Sequence, residues 1–390
     1  MSYLNKKKVV DNIVILIFSL FSIEYVSFGE GISIFRMIIF PLSLLGLSLL
    51  RPKNIKGQQN FYIIILIILL ANVLSAANSN NMINGFFNSL GIFIFMFFIL
   101  NYFMIIGVSK KIIKIIAFFS IPQYLAFCLW LFLGMGQFYN THGRFIGFHV
   151  DPNFLSMYLN FALVAKFNLL SQCKSRKSKF GYLLFILLDY MLIFSAQSRI
   201  GILGALLSFL LFLFFYHKKV FIVLITLSGF IINFLQDKMD KLSFSRNFNT
   251  IDGILYRFKN VDANGNEKEM ARLVHFNNFV DIISNNESVF IGLSLQNYYY
   301  RFLQYPHNLL IDMSLELGLV TAIIFIIYLI ILFIKGFLFA FKNKKNSIFF
   351  QLALVTFVSS LFLTSYKQKF FWFMIVILFI SSKKIKINFI

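Results

Sequence analysis

The stretch FYIIILIILLANVLSAA, residues 61–77, decides the class of protein to which this chain belongs. Its 17 residues carry no charge. An α-helix of that length rises about 25 Å, and ~17–25 apolar residues cross the hydrocarbon of a bilayer. The run GILGALLSFLLFLFFY, residues 201–216, repeats the pattern. The chain as a whole is 59% hydrophobic and 13% charged, against roughly 25% charged in soluble domains. Backbone amides in hydrocarbon must be satisfied within the segment, so each such run is read as a helix.

Candidate spans lie at about 12–28, 31–50, 61–78, 85–107, 112–133, 153–171, 181–197, 200–216, 220–235, 317–335, 347–363 and 370–382. The expectation is an all-α, polytopic integral membrane protein with about twelve transmembrane helices and one large external loop containing short helices. Residues 1–235 hold spans one to nine, 236–316 the loop, and 317–390 the last three spans and a tail, forming one membrane domain overall.

A net charge of +21 would point to nucleic acid in a soluble chain. Its distribution gives another reason. Lysine and arginine fill the N-terminus (Lys6, Lys7, Lys8) and every second link: Arg51 to Lys56, SKKIIK (109–114), CKSRKSK (173–179), HKK (217–219), KNKKN (342–346) and the tail KKIK (383–386). The links between them, such as FGEG (28–31) and NSNN (78–81), lack lysine. This alternation follows the positive-inside rule and predicts both termini in the cytoplasm and the large loop outside, with no nucleic-acid partner. Cys128 in a span and Cys173 in a basic link fall in different compartments, so neither a disulfide nor a cysteine metal site is expected. The first span lacks a small-residue cleavage site and is expected to act as a signal anchor.

A loop as long as 236–316 calls for structure or function. Within it KEMARLVHFNNFVDIIS (268–284) sets Leu273, Phe276, Val280 and Ile283 at helical spacing, which predicts an amphipathic helix on the membrane face of the protein. In YPHNLLIDMSLELG (305–318), Pro306 is expected in a first helical turn, with Gly318 carried inside the helix that enters the membrane.

The polar groups on the predicted outer side fall in three places. The tract GRFIGFHVDPNFL (143–155) and the histidine before it bring His142, Arg144, His149, Asp151 and Asn153. The tight link SAQSRIG (195–201) brings Ser198 and Arg199, and the large loop brings Arg246, Arg257, Arg272, Arg301, His307, Asp312 and Glu316. An arginine on the outer side gains nothing for topology, so Arg199 either snorkels to headgroups or binds an anion through its guanidinium fork. Arg144 is either an anion ligand or a loop cation paired with Asp151. His307 either takes a hydroxyl proton or sits hydrogen-bonded at the interface; His142 and His149 are weaker candidates. Asp151 suits the N-cap of the sixth span with Pro152 behind it, which makes Asp-Pro-Asn architecture. Asp312 and Glu316 share a helix face, and a structural role is preferred for Glu316. Glu24, Arg36 and Asp189 lie within spans, where ionisable groups are functional suspects; Glu24 and Arg36 are expected to pair.

The chain has no GxxxxGK[ST], HExxH, CxxC or Asp-x-Asp, so no metal and no cofactor are expected, and fixed cations would do the electrostatic work.

The ordered set GRFIGFHVDPNFL, SRIG and PHNLLIDMSLELGLV, with its topology, resembles the O-antigen polymerase and O-antigen ligase superfamily over about residues 140–335. The resemblance implies a Wzy-like, GT-C-like, inverting and metal-independent glycosyltransferase of the bacterial cytoplasmic membrane. Its substrate would be undecaprenyl-diphosphate-linked oligosaccharide, with a flippase and a chain-length regulator as partners beside the bilayer. By the same resemblance, Arg144, Arg199 and Arg272 would bind the diphosphate, with Arg246, Arg257 and Arg301 competing for the place given to Arg272. His307 would be catalytic, with Asp151, Asn153, Asn308 and Glu316 as support. A repeat-unit polymerase is preferred. A ligase to lipid A core is the alternative within the class, and a flippase the alternative outside it.

Overall fold

A computed structural model describes residues 3–21, 27–28, 32–50, 58–77, 82–140, 143–149, 151–225, 271–285, 292, 308–343, 347–361, 363, 369–383 and 387–388. The described chain is helical apart from two minimal sheets. Strands β1 (Ser27–Phe28) and β2 (Ile32–Ser33) pair antiparallel, and β3 (Val108–Ser109) pairs parallel with β4 (Ile387–Asn388). The helices are α1 (Tyr3–Phe21), α2 (Ile34–Leu49), α3 (Gln58–Ala77), α4 (Met82–Ile105), α5 (Lys110–Ala117), α6 (Ile121–Leu133), α7 (Pro152–Gln172), α8 (Arg176–Ser195), α9 (Arg199–Tyr216), α10 (Ala271–Asn285), α11 (Leu309–Leu317), α12 (Leu319–Lys342), α13 (Ser347–Ser360) and α14 (Lys369–Ser381). Residues 218–225 are helical as well.

Among the described residues, six helical stretches are long and apolar enough to cross a membrane: Gln58–Ser75, Lys111–Leu133, Pro152–Gln172, Arg176–Ser195, Arg199–Tyr216 and Leu319–Lys342. Shorter apolar helices lie at Ile38–Leu49, Ser89–Ile105, Ser347–Ser360 and Phe370–Ser381. The first predicted span, 12–28, is corrected: α1 ends at Phe21, and Ser27–Phe28 belong to a strand. The fifth is a helix pair, α5 and α6, separated by a turn at 118–120, with Pro122 in the first turn of α6.

Contacts divide the chain into two compact units, Ser120–Lys268 and Met1–Phe119 with Glu269–Ile390. In the first of these, α7 is the central element. It is 83% buried and packs along α8 and α9, because its apolar residues run right round the helix rather than along one stripe. Leu155, Leu159, Leu163 and Phe167 meet Leu192, Ile193, Ala205 and Phe212 there. In the other unit, α14 is buried along its described length and packs on α4, α12 and α13. Phe373 meets Phe18, and Phe379 meets Phe61, at ring-centroid separations of 4.7 and 4.6 Å.

Two expectations for the large loop are revised. The amphipathic helix exists as α10, but its buried face holds Ile282 with Phe279, against Ile311 and Leu315 of α11. Val280 and Ile283 are exposed, and the side chains of Leu273 and Phe276 lie outside the described ones. One residue of offset turns a helix by about 100°, and the neighbour to be covered, α11, selects the Phe279 stripe. The following described helix opens at Leu309 with Asn308 as its cap, and Pro306 lies outside the described residues. Gly318 is not carried inside a helix: at φ 89° it breaks the chain between α11 and α12. Gly292 packs against this break. A Cβ there would lie 2.6 Å from the Glu316 carbonyl oxygen and 3.0 Å from the Gly318 nitrogen.

Candidate functional site

In the unit Ser120–Lys268, the tract before α7 folds into a compact loop. Tyr139 bridges to Phe145, the Arg144 amide donates to the Asn140 side chain at 3.0 Å, and the Gly143 amide donates to the Asn140 carbonyl at 2.9 Å. The Phe145 amide reaches across to the Ser195 carbonyl at 3.1 Å, and the Phe148 amide to the Gln123 side chain at 3.0 Å. The greasy positions of this tract are therefore anchors: Phe145 is buried between Phe127 and Tyr139.

Asp151 is the N-cap of α7. Its carboxylate accepts from the Asn153 amide at 2.7 Å, with Pro152 at the first helical position, as the Asp-Pro-Asn pattern predicts. Ser198 caps α9 in the same manner, accepting from the Gly201 amide at 3.0 Å, which sets Arg199 at the first helical position. The two helix starts are tied together. Ser198 Oγ donates to Asn153 Oδ1 at 2.7 Å, and Asn160 Nδ2 donates to the Gly201 carbonyl at 3.0 Å. Gly201 makes this approach possible, since a Cβ there would lie 2.5 Å from Ser156 Cβ and Oγ.

Arg144 holds the neighbouring helix end. Its Nε donates to the Ala196 carbonyl at 3.1 Å and its Nη2 to the Gln197 carbonyl at 3.4 Å. These carbonyls belong to the turn joining α8 to α9, in which Gln197 takes a left-handed backbone (φ 48°) to reverse the chain. The guanidinium thus meets acceptors that the end of α8 leaves unpaired. The ion pair formed within the described residues is Lys166–Asp189, so Arg144 takes main-chain acceptors where a pairing with Asp151 was one reading. His149 is buried with its ring 4.7 Å from that of Tyr158, and burial pushes its pKa down to about 3. It is a neutral core group.

Two helix N-termini and two arginines therefore stand within one unit. Amides and dipoles at such ends attract anions, and guanidinium forks match phosphate oxygens. The other unit carries the second group of candidates. Asn308 caps α11, its side chain accepting from the Leu310 and Ile311 amides at 2.9 and 3.3 Å. Asp312 and Glu316 are buried on α11. Arg272 falls in the first turn of α10, though its side chain lies outside those described. His307, His142, Glu24, Arg246, Arg257 and Arg301 lie outside the described residues, as does the Arg36 side chain. Between α11, α12 and α13 runs an apolar groove of about 440 Å³, lined among others by Met313, Phe325, Leu329, Phe333 and Leu354. Among the described residues no group of three His, Cys, Asp or Glu could hold a metal ion.

Sequence reasoning marked Asp189 but missed its partner. Lys166 of α7 and Asp189 of α8 are both fully buried and in contact. Lys166 also donates to Ser120 Oγ at 2.7 Å and to the Tyr124 hydroxyl at 3.0 Å, and Tyr124 donates in turn to Asp189. A lysine inside the predicted span 153–171, facing an acid in the next antiparallel span, was the available signal.

Residues 182–326 match the family model described as O-antigen ligase, which agrees with the superfamily resemblance read from the residues. The matched region includes Arg199, Arg272 and His307, while Arg144 precedes it. No curated protein matches the chain. The apolar helices and the family match over residues 182–326 together indicate an integral membrane protein, and over that stretch the chain is similar to the O-antigen ligase family.

Proposed function

We propose that this protein is a polysaccharide repeat-unit polymerase that acts on undecaprenyl-diphosphate-linked oligosaccharide at the outer face of the bacterial cytoplasmic membrane. The observation that carries this reading is the joined start of α7 and α9, with Arg199 on the first turn of one and Arg144 clasped to the adjoining turn. A diphosphate there would meet helix amides and guanidinium groups together. The alternation of basic links supports putting this end outside, with both termini and the basic links in the cytoplasm.

In the reaction, an acceptor sugar hydroxyl attacks the anomeric carbon of the donor as the bond to the diphosphate oxygen breaks, inverting that carbon. His307 takes the hydroxyl proton. Arg144, Arg199 and Arg272 stabilise the charge that develops on the departing lipid diphosphate, supported by Asp151, Asn153, Asn308 and Glu316. Fixed cations fill the role that a metal has in other glycosyltransferases. A flippase that supplies the lipid-linked units and a regulator of chain length are the partners that go with this reading.

A ligase that transfers glycan to lipid A core is the second reading, favoured by the description of the matched family as O-antigen ligase. Glycan analysis of a deletion strain separates the two. Single repeat units on the acceptor indicate a polymerase, and accumulated lipid-linked polymer indicates a ligase. Absence of any outward-facing repeat unit would instead favour a flippase and overturn both.

A further inference from the structure

We propose that the buried Lys166–Asp189 pair is a positioning element that sets the rotation of α8, and through it the α8–α9 turn that presents Arg199. This rests on the reading of the α7–α9 junction as the anion site.

Ion pairs inside a membrane domain are costly, and a pair that only filled space could be replaced by apolar side chains. Here the pair gathers groups from three helices. Ser120 and Tyr124 come from the start of α6, Lys166 from α7 and Asp189 from α8. Tyr124 donates also toward the Phe185 carbonyl at 3.1 Å, and the Lys166 ammonium lies 5.4 Å from the Tyr124 ring centre. Asp189 precedes Ala196 by seven residues, two helical turns, so the two lie on nearly the same face and about 10 Å apart along the axis. A rotation of α8 that carried Asp189 away from Lys166 would carry the Ala196 carbonyl away from Arg144 as well. The reversal into α9 occupies only Ala196, Gln197 and Ser198, too few residues to absorb that rotation before Arg199. The charges of the pair are directional where the surrounding leucines and phenylalanines are not, which makes the pair suited to fixing a rotation.

The test is amide hydrogen exchange of the full chain in lipid nanodiscs, run beside surface polymer in cells. Lys166→Met alone strands a carboxylate in the core, and loss of the folded protein is expected. Lys166→Met with Asp189→Leu removes both charges and leaves Tyr124 its Phe185 acceptor. In that double variant, we expect an unchanged melting temperature, exchange over residues 195–201 faster by about tenfold or more, and polymer reduced by about ten- to a hundredfold, the scale on which a misplacement of ~1 Å acts. Wild-type exchange over the turn in the folded double variant overturns the proposal. Should the double variant fail to accumulate, Asp189→Glu keeps both charges and lengthens one by a methylene. Faster exchange at the turn is again expected, and none refutes it. The reading beneath is tested separately: Arg199→Ala with normal polymer would remove the anion site while leaving the exchange result intact.

Discussion

Replacing Gly201 by alanine tests the junction of α7 and α9 without assuming any chemistry. The added Cβ would lie 2.5 Å from both Ser156 Cβ and Ser156 Oγ, and 3.1 Å from Ser198 Cβ. Carbon atoms in contact stand ~3.5–4.0 Å apart, so the helices must separate by about 1 Å or the side chains must move. Ser156 is fully buried and its hydroxyl donates to the Pro152 carbonyl at 2.8 Å, which leaves little room for side-chain escape. Overpacking of this kind costs about 1–3 kcal/mol. The same separation stretches the Ser198–Asn153 and Asn160–Gly201 bonds, each worth about 0.5–1.5 kcal/mol. We therefore expect Gly201→Ala to destabilise the protein by about 2–4 kcal/mol, read as a lower unfolding temperature in nanodiscs, together with a loss of polymer. Ser156→Gly removes the atoms that the new methyl meets. The double variant should recover more stability than the two single changes predict by addition, by about 1 kcal/mol or more. Additive effects in this cycle, or wild-type stability in Gly201→Ala, would refute the close approach.

Other perturbations probe separate parts of the molecule. Asp151→Ala and Asn308→Ala each remove an N-cap and should cost about 0.5–2 kcal/mol in denaturation assays, while Asp151→Asn should retain most of the stability. Arg199→Ala and His307→Ala should each abolish surface polymer while membrane levels stay normal; long polymer in both variants would end the site assignment. His149 gives a pH dependence. Its folded pKa of about 3 lies below the ordinary 6.5, so below pH 6.5 the unfolded chain takes up a proton that the fold does not. Stability contributed by this group is complete above 6.5 and is lost as pH falls toward 3, by about 2 kcal/mol at pH 5. His149→Phe should flatten that slope in unfolding measured from pH 7.5 to 5, and an unchanged slope would show that His149 is not its source.

What the residues alone disclosed was local. Asp151 before Pro152 announces a cap because the carboxylate bonds an amide two residues away; the cap that Ser198 forms on α9 is equally local but was not read from the sequence. Apolar helices were legible because hydropathy sums over neighbours: among the described residues, six of the predicted segments coincide with a helix long enough to cross a membrane and four with a shorter apolar helix. What was hidden was set by distant partners. No spacing rule links Arg144 to the carbonyls of Ala196 and Gln197, and the charges of Lys166 and Asp189 in neighbouring spans hint at a pair without fixing its register. The face of α10 was misread for the same reason: Phe279 and Ile282 are chosen by α11, which the periodicity of α10 does not contain. Gly318 was read as a tolerated helix residue because a glycine accepts both conformations, and only packing against Gly292 selects the break.

The clasp of Arg144 also resolves an electrostatic conflict in the site. Where α7 and α9 begin, α8 ends, so positive helix termini and a negative one stand side by side, each equivalent to about half an elementary charge. A phosphate approaching the start of α9 would be repelled by the carbonyls of Ala196 and Gln197. Arg144 donates to both of those carbonyls, so the negative end is covered by a full positive charge. Asp151 offsets the start of α7, while Ser198, which caps α9, is neutral. The balance favours anions at α9, beside Arg199, and not at α7. This asymmetry explains why an arginine sits in a loop on the predicted outer side, where it serves no topological purpose. It also separates the two arginines in kind. Besides its proposed part in holding the diphosphate, Arg144 holds the turn, where the planar fork spans two acceptors that a lysine would reach one at a time. In the proposed reading Arg199 is the one that meets the ligand, where charge at the helix start matters most.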